Sequence, residues 1–302
     1  MTSLCLGTVQ FGMKYGVNNQ IGRQPSREES FAMLDYALGH GIDTIDTACA
    51  YGEAEKILGK YLKHRTDKHN LKVISKLRPN VIEPESIPKN TVLEECKNSL
   101  KRLSVEQLDG YLLHTPEYIY NEEILSALVK LKQEGYVKNI GVSIYDLKEG
   151  YAAIKTGIVD YIQLPYSILD QRGIKDGFIA AAKKAGITIF TRSAFLQGMF
   201  LMNHNSIPEH LQKAVPYLEI MERILKEYGA DKISAILQFV KYEKEIDYLV
   251  FGVEKMEQLR EDIQKANQID VPEECIMQLK KEIDNVEQSI IFPSLWANGR
   301  KG

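Results

Sequence analysis

Four polar residues able to hold or move a proton stand at or just beyond the ends of apolar runs. Asp46 closes Ile42-Asp43-Thr44-Ile45-Asp46 and Tyr51 follows it; Lys76 follows Val73-Ile74-Ser75; His114 follows Gly110-Tyr111-Leu112-Leu113. In a parallel β/α protein the carboxyl ends of the strands open onto one face, where ligands bind. Groups far apart in sequence then meet in one pocket. A tyrosine beside a lysine that is itself paired with an aspartate is a candidate proton donor. The ammonium stabilises phenolate, lowers the tyrosine pKa and eases proton transfer. Taken singly, each residue has a plainer role: Asp46 as a helix cap, Tyr51 as a wall residue, Lys76 as a solvated loop lysine, His114 as a satisfied core histidine.

The elements that must position them are short apolar runs alternating with longer amphipathic segments, the pattern of repeated βα units. Strands are expected at 4–8, 44–46, 73–75, 108–113, 139–142, 161–164, 188–191 and 248–252. Between them, apolar residues recur near the helical period: Phe31/Leu34/Ala37/Leu38, Ile57/Leu58/Leu62, Val92/Cys96/Leu100 and Ile124/Leu128/Leu131. Ser26-Arg27-Glu28-Glu29 reads as a capping box, and Gly41, Gly135 and Gly186 suit helix C-termini. Eight such units with right-handed crossovers close as an α/β (β/α)8 TIM barrel. No Pro/Ser-rich linker divides the chain, so residues 1–302 read as a single barrel domain. The segment 194–209 and the tail after Val271 fall outside the repeat. The tail reads as an extra helix at 273–286, then Ile290-Ile291-Phe292-Pro293-Ser294-Leu295-Trp296. That ending either caps the barrel as core or reaches over the pocket.

A chain of 302 residues with 44% hydrophobic and 26% charged residues has the composition of a globular protein. A net charge of −3 gives no case for nucleic acid or an anionic membrane. Cys5, Cys49, Cys96 and Cys275 are scattered without a C-x-x-C pair, which favours reduced thiols. No apolar run of about 18 residues occurs and no signal-like N-terminus is present, so a cytoplasmic location is expected. No Walker A motif, no G-x-G-x-x-G after a strand and no zinc-like spacing appears, and metal independence is expected.

The segment Asp46-Thr47-Ala48-Cys49-Ala50-Tyr51-Gly52 resembles the Asp-Thr-Ala-x-x-Tyr-Gly stretch of the aldo-keto reductases. Lys76 and His114 follow at that family's spacings. So do Leu6-Gly7-Thr8-Val9-Gln10-Phe11-Gly12, Ile140-Gly141-Val142-Ser143, Gln163-Leu164-Pro165-Tyr166-Ser167 and Leu196-Gln197-Gly198. The ordered match runs from about residue 4 to about residue 265. The resemblance implies an NAD(P)(H)-dependent oxidoreductase interconverting a carbonyl and its alcohol. Tyr51 would be the general acid, Lys76 would tune it, Asp46 would hold Lys76, and His114 would orient the carbonyl. A cofactor-binding regulatory subunit with little turnover is the alternative that the family offers.

The resemblance further implies a cofactor cradle of Gly7, Thr8, Ser143, Gln163, Arg192, Ser193, Phe195, Gly198, Gly252, Lys255, Gln258 and Asp262. Ser143 and Gln163 would hold the nicotinamide carboxamide. Four departures mark this chain: Ile144 where the family usually has asparagine, Arg192 where many members have an aromatic residue, Glu254 where a small hydroxyl residue is common, and Asp262 in place of the usual asparagine that reads adenine. Arg192 would either stack on the nicotinamide or grip the pyrophosphate. Lys255, and after it Arg260, would pair with a 2′-phosphate at a helix N-terminus. Glu254, in place of a small hydroxyl residue, would repel that phosphate or accept from a free ribose hydroxyl. NADP(H) is favoured, by the family's habit, with NAD(H) its rival. Phe11, Tyr15, Arg78, Tyr118 or Tyr120, Phe195 and Trp296 would line the pocket of a small aldehyde, ketone or sugar, in a chain that is a monomer by family default.

Overall fold

The computed structural model describes residues 2–63, 65–66, 70–82, 87–268 and 270–300, with side chains to Trp296. Eight strands form: β1 Ser3–Gly7, β2 Thr44–Asp46, β3 Lys72–Lys76, β4 Leu108–Leu113, β5 Val137–Ser143, β6 Tyr161–Pro165, β7 Thr188–Arg192 and β8 Tyr248–Gly252. Each pairs in parallel with the next, and β1 pairs with β8, which closes the barrel. The expected strands are all present. β2, β4 and β8 have the expected bounds, and the others differ by one or two residues at their ends.

Strands buried on both faces have no solvent side, so their phase is set by which side chain fits inside the barrel. Cys5, Ile74, Leu112, Phe190 and Val250 form one inner cluster, with Tyr161 and Tyr248 packed against it. Phe190 and Tyr248 stack with ring centroids 4.4 Å apart. The alternate residues, among them Leu6, Val73, Tyr111, Ile162, Ile189 and Phe251, face the helices in the outer core. The two-residue period does the rest. Two positions beyond the inner-cluster residues stand Gly7, Lys76, His114, Gln163, Arg192 and Gly252. The inner phase of the strands therefore carries these groups to the carboxyl-end mouth.

The helical stripes are buried as expected, except that Phe31 and Leu38 are only half-buried and Met33 takes a core place. Ser26 makes the full capping box with Glu29, a device worth roughly 1 kcal/mol. The helix expected at 273–286 is shorter, Glu273–Glu282. Ile283 is extended there and its carbonyl accepts from Gln171 Nε2 at 2.8 Å, so a bond to the barrel replaces the next helical turn. A short helix, Gln288–Ile291, and a 3-10 stretch, Pro293–Arg300, follow. Among the described residues no helix is long and apolar enough to cross a membrane.

Candidate active site

Asp46, Lys76 and Tyr51 form a continuous polar chain at the mouth. Lys76 has no exposed surface; its Nζ donates to Asp46 Oδ1 at 2.7 Å, Asp46 Oδ2 at 2.8 Å and the Thr47 carbonyl at 3.0 Å. Its fourth contact is the Tyr51 hydroxyl at 3.3 Å. A lysine without water survives only with such partners. Gln163 Nε2 donates to Asp46 Oδ1 at 2.7 Å, and Gln163 Oε1 accepts from Ser143 Oγ at 3.3 Å. The Gln163 amide thus braces Asp46 from the far side of the barrel.

Tyr51 reaches this chain through a tight backbone crossing. A Cβ on Gly12 would lie 1.6 Å from the Tyr51 carbonyl oxygen, and one on Gly52, whose φ is +56°, would lie 2.4 Å from the Gly12 oxygen. Glu53 N–H donates to that Gly12 carbonyl at 3.1 Å. The Tyr51 ring meets His114 edge-on, with centroids 5.9 Å apart. Because Lys76 occupies the phenol oxygen as a donor, the phenol proton itself is free to point into the cleft.

The electrostatics differ from the sequence expectation at Tyr51. Burial, then the Asp46 carboxylate, holds its phenol well above the ordinary value, while Arg192 pulls the other way. Desolvation therefore outweighs the tuning assigned to Lys76, and the phenol stays protonated at neutral pH. Burial, with Lys76 and Arg192 adding, pushes the His114 imidazole down to about 3. Its Nδ1 is buried without a protein partner among the described residues. The ring is neutral and keeps one N–H to donate.

This has a measurable consequence for stability. An imidazole with its folded pKa near 3 and an ordinary value of 6.5 refuses a proton that the unfolded chain accepts. Its contribution is complete above pH 6.5, declines as pH falls and is lost below about 3. Acid-unfolding curves of His114→Gln should be flatter than wild type in that window. Parallel curves would mean that the imidazole is not held neutral.

Around the chain lies a cleft of about 640 Å³, within the range of roughly 300–1,000 Å³ usual for ligand sites. Its wall includes Gly7, Thr8, Tyr15, Asp46, Tyr51, His114, Ser143, Arg192, Ser193, Phe195, Gly198, Gly252, Lys255, Gln258 and Asp262. Gln163 and Lys76 stand behind that wall, both buried. The other sequence candidates lie elsewhere. Phe11 is packed in the outer core, Arg78 is ion-paired with Glu95 at 2.7 Å, and the Tyr118 hydroxyl accepts from Ile82 N–H at 3.1 Å. Trp296 is 2% exposed and donates to the Ser289 carbonyl at 3.1 Å, which places it in the core. Cys49 is half-buried, and burial pushes its thiol up to about 12, keeping it protonated.

Several wall residues carried no assignment from the sequence. Gln10, whose Oε1 is buried and unpartnered among the described residues, sits within the matching first segment, which was the signal for it. Tyr145 supports Arg192, whose guanidinium lies 4.1 Å from its ring centroid and donates to the Ile144 carbonyl at 3.0 Å. Ile144 thus supplies a backbone acceptor where a side chain was expected. Residues Asn18, Asn19 and Gln20 also line the cleft. Val17 and Asn18 N–H groups donate to the Gln197 carbonyl, in a loop where Ser193, Leu196, Gln197 and Gly198 all take positive φ. On the other wall, Gln20 N–H donates to Glu254 Oε1 at 2.8 Å. Residues 17–20 therefore strap the two walls together.

The glycines at 7, 198 and 252 line the cleft at points where a side chain would crowd the protein packed against it. At Gly252 a Cβ would lie 2.4 Å from Gln10 Oε1, and at Gly198 it would lie 2.8 Å from Asn18 Cβ. The unpartnered Gln10 and His114 atoms give this wall buried polar groups free to meet a ligand. Among the described residues, no group of three His, Cys, Asp or Glu side chains is placed to hold a metal ion.

Comparison with known proteins agrees with this geometry. The Escherichia coli K12 protein tas is 25% identical over 97% of this chain and 96% of its own. The NADH-specific methylglyoxal reductase of the same organism is 25% identical over 75% of this chain and 79% of its own. The holo form of a Bacillus halodurans aldo-keto reductase superposes with a TM-score of 0.77 at 22% identity, covering 95% of each chain. A family model described as the aldo/keto reductase family matches residues 3–284. The chain belongs to the aldo/keto reductase family.

Proposed function

We propose that the protein interconverts a small aldehyde or ketone and its alcohol, with Tyr51 as the general acid in reduction and the general base in oxidation. The observation that carries this reading is the Tyr51 hydroxyl at the end of the buried Asp46–Lys76 chain, with its own proton unspent. A reduced nicotinamide dinucleotide supplies the hydride when bound, as is general for this family. The carbonyl oxygen, gaining an electron pair as hydride reaches its carbon, takes the Tyr51 proton. Lys76, already beside the phenol oxygen, stabilises the phenolate left behind. His114, neutral, orients the carbonyl through its N–H. Arg192, Ser143, Gln10 and the three glycines belong to the cofactor trough, with Gln163 bracing Asp46.

The walls around Tyr51, among them Tyr15, Tyr145 and Phe195, suit a compact carbonyl compound with some polar groups. One relative's name, a methylglyoxal reductase, puts a small dicarbonyl beside aldoses at the head of the panel to assay. Loss of reduced-nicotinamide absorbance should depend on added carbonyl and match the alcohol formed. Fluorescence titration should show binding of NADH, NADPH or both; binding of neither withdraws the reading.

A further inference from the structure

We propose that the adenosine end of the cleft selects NAD(H) against NADP(H), with the Glu254 carboxylate as the selecting group. The proposal rests on the reductase reading above. Four carboxyl groups line this end: Glu254, Glu257, Glu261 and Asp262. One cation, Lys255, lines it with them, and its Nζ already donates to Gln20 Oε1 at 3.1 Å. Arg260, the second cation expected there from the sequence, turns away, with its guanidinium 5.3 Å from the centroid of the Tyr36 ring. A 2′-phosphate carries close to two negative charges. The N-terminus of the Met256–Asn267 helix offers an equivalent of roughly half a positive charge, so it and one lysine face the three glutamates.

Glu254 is 6% exposed and fixed at the start of that helix. Its Oε1 accepts from Gln20 N–H at 2.8 Å and Gln258 Nε2 at 3.5 Å, and its own N–H donates to Gln258 Oε1 at 2.9 Å. Among the described residues Oε2 has no donor. A fixed carboxylate with one free oxygen is an acceptor for ribose hydroxyls and a repulsive neighbour for a phosphate. A second observation points to the same ligand. Asp262, 7% exposed and in the cleft wall, has a side chain without a hydrogen-bond partner among the described residues. Burial, with Glu261 adding, pushes its carboxyl up to about 8. At neutral pH it is therefore mostly protonated, able to donate and to accept, and matches the mixed donor–acceptor edge of an adenine.

Fluorescence titrations of the full chain with NADH and NADPH test this. NADH should bind at least about tenfold more tightly at low ionic strength, and added salt should narrow the gap by screening the repulsion. Glu254→Gln keeps a carbonyl oxygen for the Gln20 N–H and removes the charge, so it should close much of the gap by tightening NADPH. Equal affinities, or tighter NADPH, in the wild-type chain would overturn the proposal, as would a gap that Glu254→Gln leaves unchanged. Should that variant fail to fold, the salt series on the wild type decides, and a gap indifferent to salt overturns the proposal. Binding of neither dinucleotide would instead remove the reductase reading itself.

Discussion

Tyr51→Phe should lower kcat by about 10²–10⁴-fold, the usual worth of general acid–base help, which is about 3–5 kcal/mol in the barrier. Dinucleotide affinity and the unfolding midpoint should change little. The ring remains, so its edge contact with His114 remains. Among the described residues the hydroxyl has one protein partner, at 3.3 Å, and Lys76 keeps three shorter bonds without it. Loss therefore belongs to the transition state, where an alkoxide must be protonated. Steady-state kinetics on the fastest carbonyl substrate, with dinucleotide titration in parallel, separates the effects. Near-normal kcat would remove Tyr51 from the proton-donor role.

Lys76→Met should have the larger effect on folding. It strands the Asp46 carboxylate, 3% exposed, in a site that it entered only with its partner. Breaking a buried pair from one side costs about 3–5 kcal/mol, a large share of a typical domain's stability. Chemical denaturation measures this directly. The double variant Lys76→Met with Asp46→Leu removes both charges and should regain part of the loss, although Gln163 then lacks its acceptor. Activity should stay low in both. A single variant as stable as wild type would show that the pair is not held away from water as described.

The sequence carried the strands well because a parallel barrel strand is apolar on both faces and short. It also placed the residues of the proposed reacting centre at one end of the barrel. Asp46, Lys76 and His114 stand at strand ends, where a two-residue period from Thr44, Ile74 and Leu112 leaves their direction no freedom. Loop positions have no such period. Phe11, Arg78, Tyr118 and Trp296 are the types a pocket uses, yet each is held elsewhere by a contact that residue type does not encode: the outer core, Glu95, the Ile82 N–H and the Ser289 carbonyl. The strap at residues 17–20 was equally illegible, since it is held largely by backbone groups. The helix at 273–286 ran too long for a related reason, because the Gln171 side chain that takes the Ile283 carbonyl comes from another part of the chain.

The crossing of Gly12 over Tyr51 bears on how tolerance to variation along this chain should be interpreted. A methyl group at position 12 would fall 1.6 Å from the Tyr51 carbonyl oxygen and 2.8 Å from Ala54 Cβ, so even alanine displaces the segment that carries the phenol. Position 12 is therefore as closed to replacement as position 51, although it touches no reactant and has no chemistry of its own. Intolerance there measures how closely two backbones pass. The freedom that this barrel has to acquire new substrates must accordingly come from its loops, while the approach of these two segments stays fixed.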